Sequence, residues 1–427
     1  MRVFVIAGEP SGDALGAALL AGLKTEESGT LELAGVGGPL MRAEGLASLF
    51  PMDQLSVMGV AEVLPRLPGL LRRIRETADA VVAWKPDVLI TIDSPDFCLR
   101  VARKARALDR DLKVVHYVAP SVWAWRPGRA KKMAAVVDHV LALLPFEPPY
   151  MEAAGMSCDF VGHPVTQLEV PSAADVAAFR EVNAIGAARC LTVLPGSRAG
   201  EVGRVGPVLR DVAAALVAEN EGLRVIVPTV GPRLDAVREL FAEVPGALVL
   251  GPDIGEAGKL AAFAASGLAL AASGTVTLEV AAAGAPMIVA YDLNGLSRMI
   301  ARRFVKLPSA TLVNLLDRYE ALELAGGFRG FMPGNPPAWD EMQDARLRDQ
   351  PIPEFVLERC TVERILPEAR RYLSEPGVGF AQIEASGRAM ELLGRGGDAP
   401  GTRAARSVIT FMGRREAAGQ TRLGPAP

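Results

Sequence analysis

The sequence predicts an α/β protein built from two doubly wound parallel-sheet domains, and three observations carry that expectation. Apolar strand-like runs alternate with amphipathic helical patterns, and the alternation starts again after Gly162-His163-Pro164. Half of the residues are hydrophobic but only 5% are aromatic, a mix dominated by Ala, Val and Leu that suits helices packed on parallel sheets. The chain has 427 residues, beyond the size at which one hydrophobic core stops growing.

Residues 3–7 read as a buried strand, 8–12 as a loop, and the stretch from Asp13 as a helix with Leu15, Leu19, Leu20 and Leu23 on one face. Further strands are expected at 88–92, 114–118 and 140–144, with basic amphipathic helices such as 101–108 between them. The second series comprises strands at 190–194, 224–228, 268–272 and 287–291, with helices at 205–218 and 276–283. Pro164, Pro171 and the polar stretch around Ser172 set a boundary between domains at 1–166 and 167–360. Gly and Pro residues between 326 and 353 mark an irregular insertion at about 317–350. Helices are expected at 363–373 and 382–393, and the Gly-, Arg- and Pro-rich tail at 395–427 is expected to be disordered.

A net charge of −3 gives no basis for nucleic-acid binding, which needs a concentrated basic surface. Cys98, Cys158, Cys190 and Cys360 stand far apart, without zinc-ligand or redox spacing, so free thiols in a reducing cytoplasm are expected. The first apolar run ends at Glu9, too short for a signal peptide, and no run reaches the roughly 20 apolar residues that span a bilayer. Residues 57–75 nevertheless mix Val63, Leu64, Leu67, Leu70 and Leu71 with Arg72 and Arg73, and 300–306 repeats that chemistry. Such stretches fit either a core-facing helix with a basic outer face or shallow contact with anionic headgroups and acyl chains.

Asp93 ends an apolar strand just before Pro95. In open parallel sheets ligands sit beyond the carboxyl ends of strands, so Asp93 is either a carboxylate facing a crevice or an aspartate in a turn. Three strand-to-helix junctions are rich in small or polar residues: one holding Glu9, Ser11, Gly12 and Asp13, one holding Ser197 and Arg198, and one holding Ser273, Gly274 and Thr275. Each suits a phosphate through exposed N–H groups, and each is also an ordinary βα turn. Arg198 could grip a diphosphate without a metal or pair with Glu201, while Glu279, one helical turn after Thr275, could hold a ribose or simply face solvent. Ser121 and Trp123, with Trp125, lie in HYVAPSVWAWR, where an indole either stacks on a sugar or fills the core. His116 and His139 read as structural.

Taken in order, GEPSGD at 8–13, IDSPDF at 92–97, HYVAPSVWAWR at 116–126, LPFE at 144–147, FVGHP at 160–164, LPGSR at 194–198 and ASGTVTLE at 272–279 resemble the lipid-A-disaccharide synthase family over residues 1–316. The resemblance implies an inverting, metal-independent GT-B glycosyltransferase with two Rossmann-like domains, an interdomain cleft and no cofactor. It also implies an acceptor-binding first domain, a UDP-sugar-binding second domain and a C-terminal helix returning to the first, here expected from about 361–394. The implied reaction joins UDP-2,3-diacylglucosamine to 2,3-diacylglucosamine 1-phosphate at the cytoplasmic face of a Gram-negative inner membrane. In it Asp93 is the base on the acceptor 6-hydroxyl, Arg198 the diphosphate ligand, Glu279 the ribose ligand and Asn314 a further nucleotide-site residue. The chain departs from the family at Val313, where proline is usual, and after Pro353-Glu354-Phe355, where the usual glutamine is absent. Other readings of the same residues are a different GT-B UDP-N-acetylglucosamine transferase, a UDP-sugar epimerase, or a non-catalytic UDP-sugar sensor that would not need Asp93.

Overall fold

The computed structural model describes residues 1–55, 60–124, 126, 128–295, 297–299, 309–324 and 350–420, with 60–66, 322–324 and 414–420 described by backbone alone. The expectations for Val63, Leu64, Trp125, the 300–306 stretch and most of the 317–350 insertion therefore lie outside the described residues or side chains. The chain divides into two units, Met1–Pro164 with the chain from Gly396, and Val165–Arg395, close to the expected boundary.

The first unit is a seven-stranded parallel sheet of β1 (Arg2–Ala7), β2 (Glu32–Val36), β3 (Ala47–Ser48), β4 (Val88–Ile92), β5 (Val114–Tyr117), β6 (His139–Ala142) and β7 (Ser157–Phe160), in the order β3-β2-β1-β4-β5-β6-β7. Its central strands are buried on both faces, which is why they read as unbroken Val, Ile and Leu runs rather than alternating ones. Phe4, Ile6 and Leu89 face one core, covered by the helices Val60–Trp84 and Pro95–Leu108, whereas Val3, Val5, Val88 and Ile90 face the other.

That second face is covered by the helix Pro10–Glu26 and by the helix Pro400–Gln420, whose Ala404, Val408 and Phe411 enter the core. The expected disorder of 395–427 is thus corrected for 400–420. This helix is fastened along its length: Arg406 pairs with Glu26 at 2.9 Å, Arg403 donates to the Phe160 carbonyl at 2.8 Å, and the Ser407 hydroxyl lies 2.8 Å from His139 Nε2. Glycines let it approach, since a Cβ on Gly22 would stand 2.6 Å from the Gly401 carbonyl oxygen.

The second unit is a six-stranded parallel sheet of β8 (Cys190–Leu194), β9 (Arg224–Pro228), β10 (Leu248–Leu250), β11 (Leu268–Ala272), β12 (Met287–Tyr291) and β13 (Glu354–Val356), in the order β10-β9-β8-β11-β12-β13. The helices Val362–Ser374 and Phe380–Leu392 belong here, not to the first unit. The former packs on the helix Ala199–Glu219, and Gln382 on the latter donates to the Met287 carbonyl at 2.8 Å. The chain returns to the first unit only with the helix Pro400–Gln420, after both helices expected to do so, because the apolar spacing that covers the open sheet face is at 404, 408 and 411.

Candidate functional site

Both sheets reverse their strand order at one place, and at such switch points the helices leave on opposite faces and open a crevice beyond the strand ends. In the first sheet this falls between β1 and β4, where Ala7 pairs with Ile92, so Gly8 and Asp93 begin the loops on either side of it. Asp93 and Ser94 both adopt left-handed backbone, with φ of 49° and 40°. Consecutive strained residues persist only where the surroundings over-determine them, and they cluster at working sites. Ser94, not Asp93, occupies the N-cap position of the helix Pro95–Leu108, and the Ser94 carbonyl accepts from Phe97 and Cys98 N–H at 3.0 Å. The half-buried Asp93 carboxylate makes no side-chain hydrogen bond among the described residues, so the simple capping reading fails. Its charge is felt nearby: burial first, and Asp93 second, push the Cys98 thiol up.

Other residues expected in this unit are placed differently. Asp13 is buried, and its carboxylate accepts from Gly38, Leu40 and Met41 N–H at 2.8, 3.0 and 3.1 Å. It therefore caps the helix Pro39–Ala43 rather than facing substrate. Gly12 backs onto Ala7 and Ile92 in a helix-to-sheet contact, while Glu9 holds the N-cap position of Pro10–Glu26 and Ser11 is exposed. Trp123 is core and not a stacking platform: its ring meets Phe146 edge-on at 5.0 Å and its Nε1–H donates to Glu147 at 3.2 Å. Ser121 remains exposed in the same turn. His116 is buried with Nδ1 2.8 Å from the Thr91 hydroxyl, and burial lowers its pKa to about 4.

On the helix Val60–Trp84, Leu67 and Leu71 lie one turn apart and are 39% and 43% exposed, Leu70 is half-buried and Arg72 is exposed. Arg73 is occupied, stacked over Phe50 at 4.4 Å and bonded to Gln54 and Glu76. No helix among the described residues is long and apolar enough to cross a membrane.

In the second sheet the switch point lies between β8 and β11, and a cavity of about 580 Å³ opens there. Ser197, Arg198, Ser273, Gly274, Thr275 and Glu279 all line it. Residues separated by some 80 positions are brought together because their strands pair directly, with Ala271 opposite Leu194. Glu201 caps the helix Ala199–Glu219 by accepting from Ser197 and Arg198 N–H at 3.1 and 3.2 Å. Gly196, with φ of 110°, is required there, since a Cβ would stand 2.5 Å from that of Glu201. Arg198 pairs with Glu201 at 2.8 Å but its side chain is 67% exposed, and an ion pair so exposed is worth only about 0–1 kcal/mol. The guanidinium is available for exchange onto an anion. Glu279 likewise pairs with Lys259 at 2.8 Å, a cavity residue that sequence reading missed because a lone lysine on a short helix carries no signal.

Asn314 does not line this cavity. It is buried, its amide donating to the Ile352 carbonyl and Glu354 at 2.9 Å and accepting from Ile352 N–H at 3.0 Å, so this residue, expected at a nucleotide site, is placed as a brace of the chain before β13.

Residues 3–326 match the family model described as lipid-A-disaccharide synthetase. The chain is 50% identical over 415 residues to a lipid-A-disaccharide synthase of Ruegeria pomeroyi, covering 96% of this chain and 95% of that one. It is 42% identical over 418 residues to the enzyme of the same name from Rhodospirillum centenum, covering 97% and 96%. Among solved structures it resembles a putative UDP-N-acetylglucosamine 2-epimerase from Listeria monocytogenes, with a TM-score of 0.58 at 13% identity over 97% of each chain, a likeness of fold alone.

Proposed function

The chain belongs to the lipid-A-disaccharide synthase family and is a glycosyltransferase with two Rossmann-like domains, and we propose that it transfers diacylglucosamine from UDP-2,3-diacylglucosamine to the 6-hydroxyl of 2,3-diacylglucosamine 1-phosphate, with inversion. The observation that carries this reading is the convergence of Arg198, the 273–275 junction and Glu279 on one cavity at a switch point. Arg198 exchanges Glu201 for diphosphate oxygens, and Glu279 turns from Lys259 to ribose hydroxyls. The diphosphate leaves as negative charge grows on it, and a guanidinium that never deprotonates stabilises that charge without a metal. Asp93 takes the acceptor hydroxyl proton as the new bond forms, acting as general base from the end of β4. An epimerase or a sensor is less well supported, because the family match and the relatives at 40–50% identity are synthases.

The test is incubation with both acylated substrates, with and without a divalent-metal chelator, followed by mass spectrometry. UDP and a β-1,6-linked disaccharide 1-phosphate are expected in both arms; free monosaccharide or an epimerised nucleotide sugar in their place sinks the reading.

Both substrates carry acyl chains, so the proposal includes peripheral contact with the cytoplasmic face of the inner membrane. Leu67, Leu70 and Leu71 beside Arg72 are the described residues that suit it. Replacing the three leucines with serine is expected to shift the protein from pellet to supernatant in sedimentation with anionic liposomes, and unchanged sedimentation removes this surface from consideration.

A further inference from the structure

Glu354 opens β13 with a buried carboxylate that has no part in the chemistry above, yet its hydrogen bonds lead to the nucleotide cavity. One oxygen, Oε1, accepts from Thr311 N–H at 2.8 Å, from the Asn314 amide at 2.9 Å and from the Ser309 hydroxyl. The other, Oε2, accepts from Ala310 N–H at 2.9 Å. The mount is firm, because Glu354 pairs with Val289 in the parallel ladder of β12 and β13. The carbonyl of Ala310 in turn accepts from the Ser273 hydroxyl at 2.9 Å, and Ser273 lines the cavity. We propose that Glu354 is a positioning residue for the nucleotide: it holds Ala310 so that the Ala310 carbonyl fixes Ser273 and with it the 273–275 junction.

This rests on the reading of the cavity as a UDP-sugar site. Four donors converge on the carboxylate, and only a group that accepts on both oxygens satisfies them all. In Glu354→Gln the amide nitrogen must face a donor; with the carbonyl oxygen kept toward the three-donor cluster, the bond lost is the one to Ala310. Asn314, whose amide donates to Glu354 Oε1, belongs to the same brace.

The experiment is UDP binding to the full chain by calorimetry, with KM measured for each substrate. E354Q is expected to weaken UDP roughly tenfold and to raise KM for the UDP-sugar, leaving KM for the acceptor within about twofold. Ser273→Ala removes the bond through which Glu354 acts, so adding E354Q to it should cost less than about a further twofold. A carboxylate that merely stabilises the fold would lower the thermal midpoint and give the same loss of affinity in both backgrounds. That result, or wild-type UDP affinity in E354Q, overturns the proposal. If E354Q does not fold, Asn314→Ala carries the same comparison against Ser273→Ala. Failure of the unaltered protein to bind UDP would overturn the nucleotide reading itself, before any variant is compared.

Discussion

Glu147 keeps its carboxyl where water does not reach it, and burial pushes its pKa up to about 7 although Trp123 and the Leu144 N–H bond to it. The folded chain therefore holds this proton from pH 4.5 to about 7 while the unfolded chain has released it. Fewer protons on the unfolded form means that stability falls as pH rises through this window, by a total on the order of 3 kcal/mol. The titratable neighbour Cys158 does not offset this, since burial raises its own pKa above the window. Glu147→Gln should remove the slope, so urea unfolding at pH 5 and pH 8 should show wild type losing about 2–3 kcal/mol more than the variant; equal losses would show that Glu147 titrates normally. Individual residues were legible unevenly. Asp93, Arg198 and Glu279 stood out because strand ends and junctions expose what they carry. Asp13 and Trp123 sat in motifs of the same kind, but their partners are some 25 residues away, at 38–41 and 147, and spacing cannot reveal a bond of that reach.

Among elements, the central strands could be read because burial on both faces leaves an unbroken apolar run, whereas β2 and β7 are partly exposed and β3, β10 and β13, of two or three residues, offer too short a pattern. The helix Pro400–Gln420 was missed for another reason: Gly, Arg and Pro outweighed the apolar residues at 404, 408 and 411 in the composition. Yet Gly401 is what lets that helix dock. A Cβ there would collide with the Ala18 carbonyl, its carbon only 2.6 Å away, whereas a Cβ on Gly413 meets nothing within 4 Å. Gly401→Ala is expected to cost about 1–3 kcal/mol through backbone displacement. Gly413→Ala is expected to be neutral or to stabilise by up to about 1 kcal/mol, through helix propensity and a less flexible unfolded chain. Denaturant melts of the two variants decide it, and similar midpoints would mean that this helix does not depend on the glycine contact.

At the scale of the whole molecule, the same topological device occurs twice: each sheet reverses its strand order once, and each reversal carries the residues expected to do chemistry. Each unit also has its own buried cores, so a change at one strand edge need not loosen the other unit. The two sites should then fail in separable ways. Asp93→Asn keeps the size of the side chain and removes the proposed base, so turnover should fall by roughly 10²–10⁴-fold while UDP affinity by calorimetry stays within about twofold of wild type. Arg198→Ala removes the charge-assisted hydrogen bonds proposed for the diphosphate, each worth about 1.5–3 kcal/mol, so UDP affinity should fall roughly 10- to 100-fold. Its thermal stability should hardly move, because the bond lost in the unliganded chain is an exposed ion pair to Glu201. Arg198→Lys should recover only part of the affinity, since an ammonium supplies charge without the planar fork that meets two oxygens together. Loss of UDP binding in Asp93→Asn, or full UDP binding in Arg198→Ala, would show that base and nucleotide grip are not divided between the two sheets in this way.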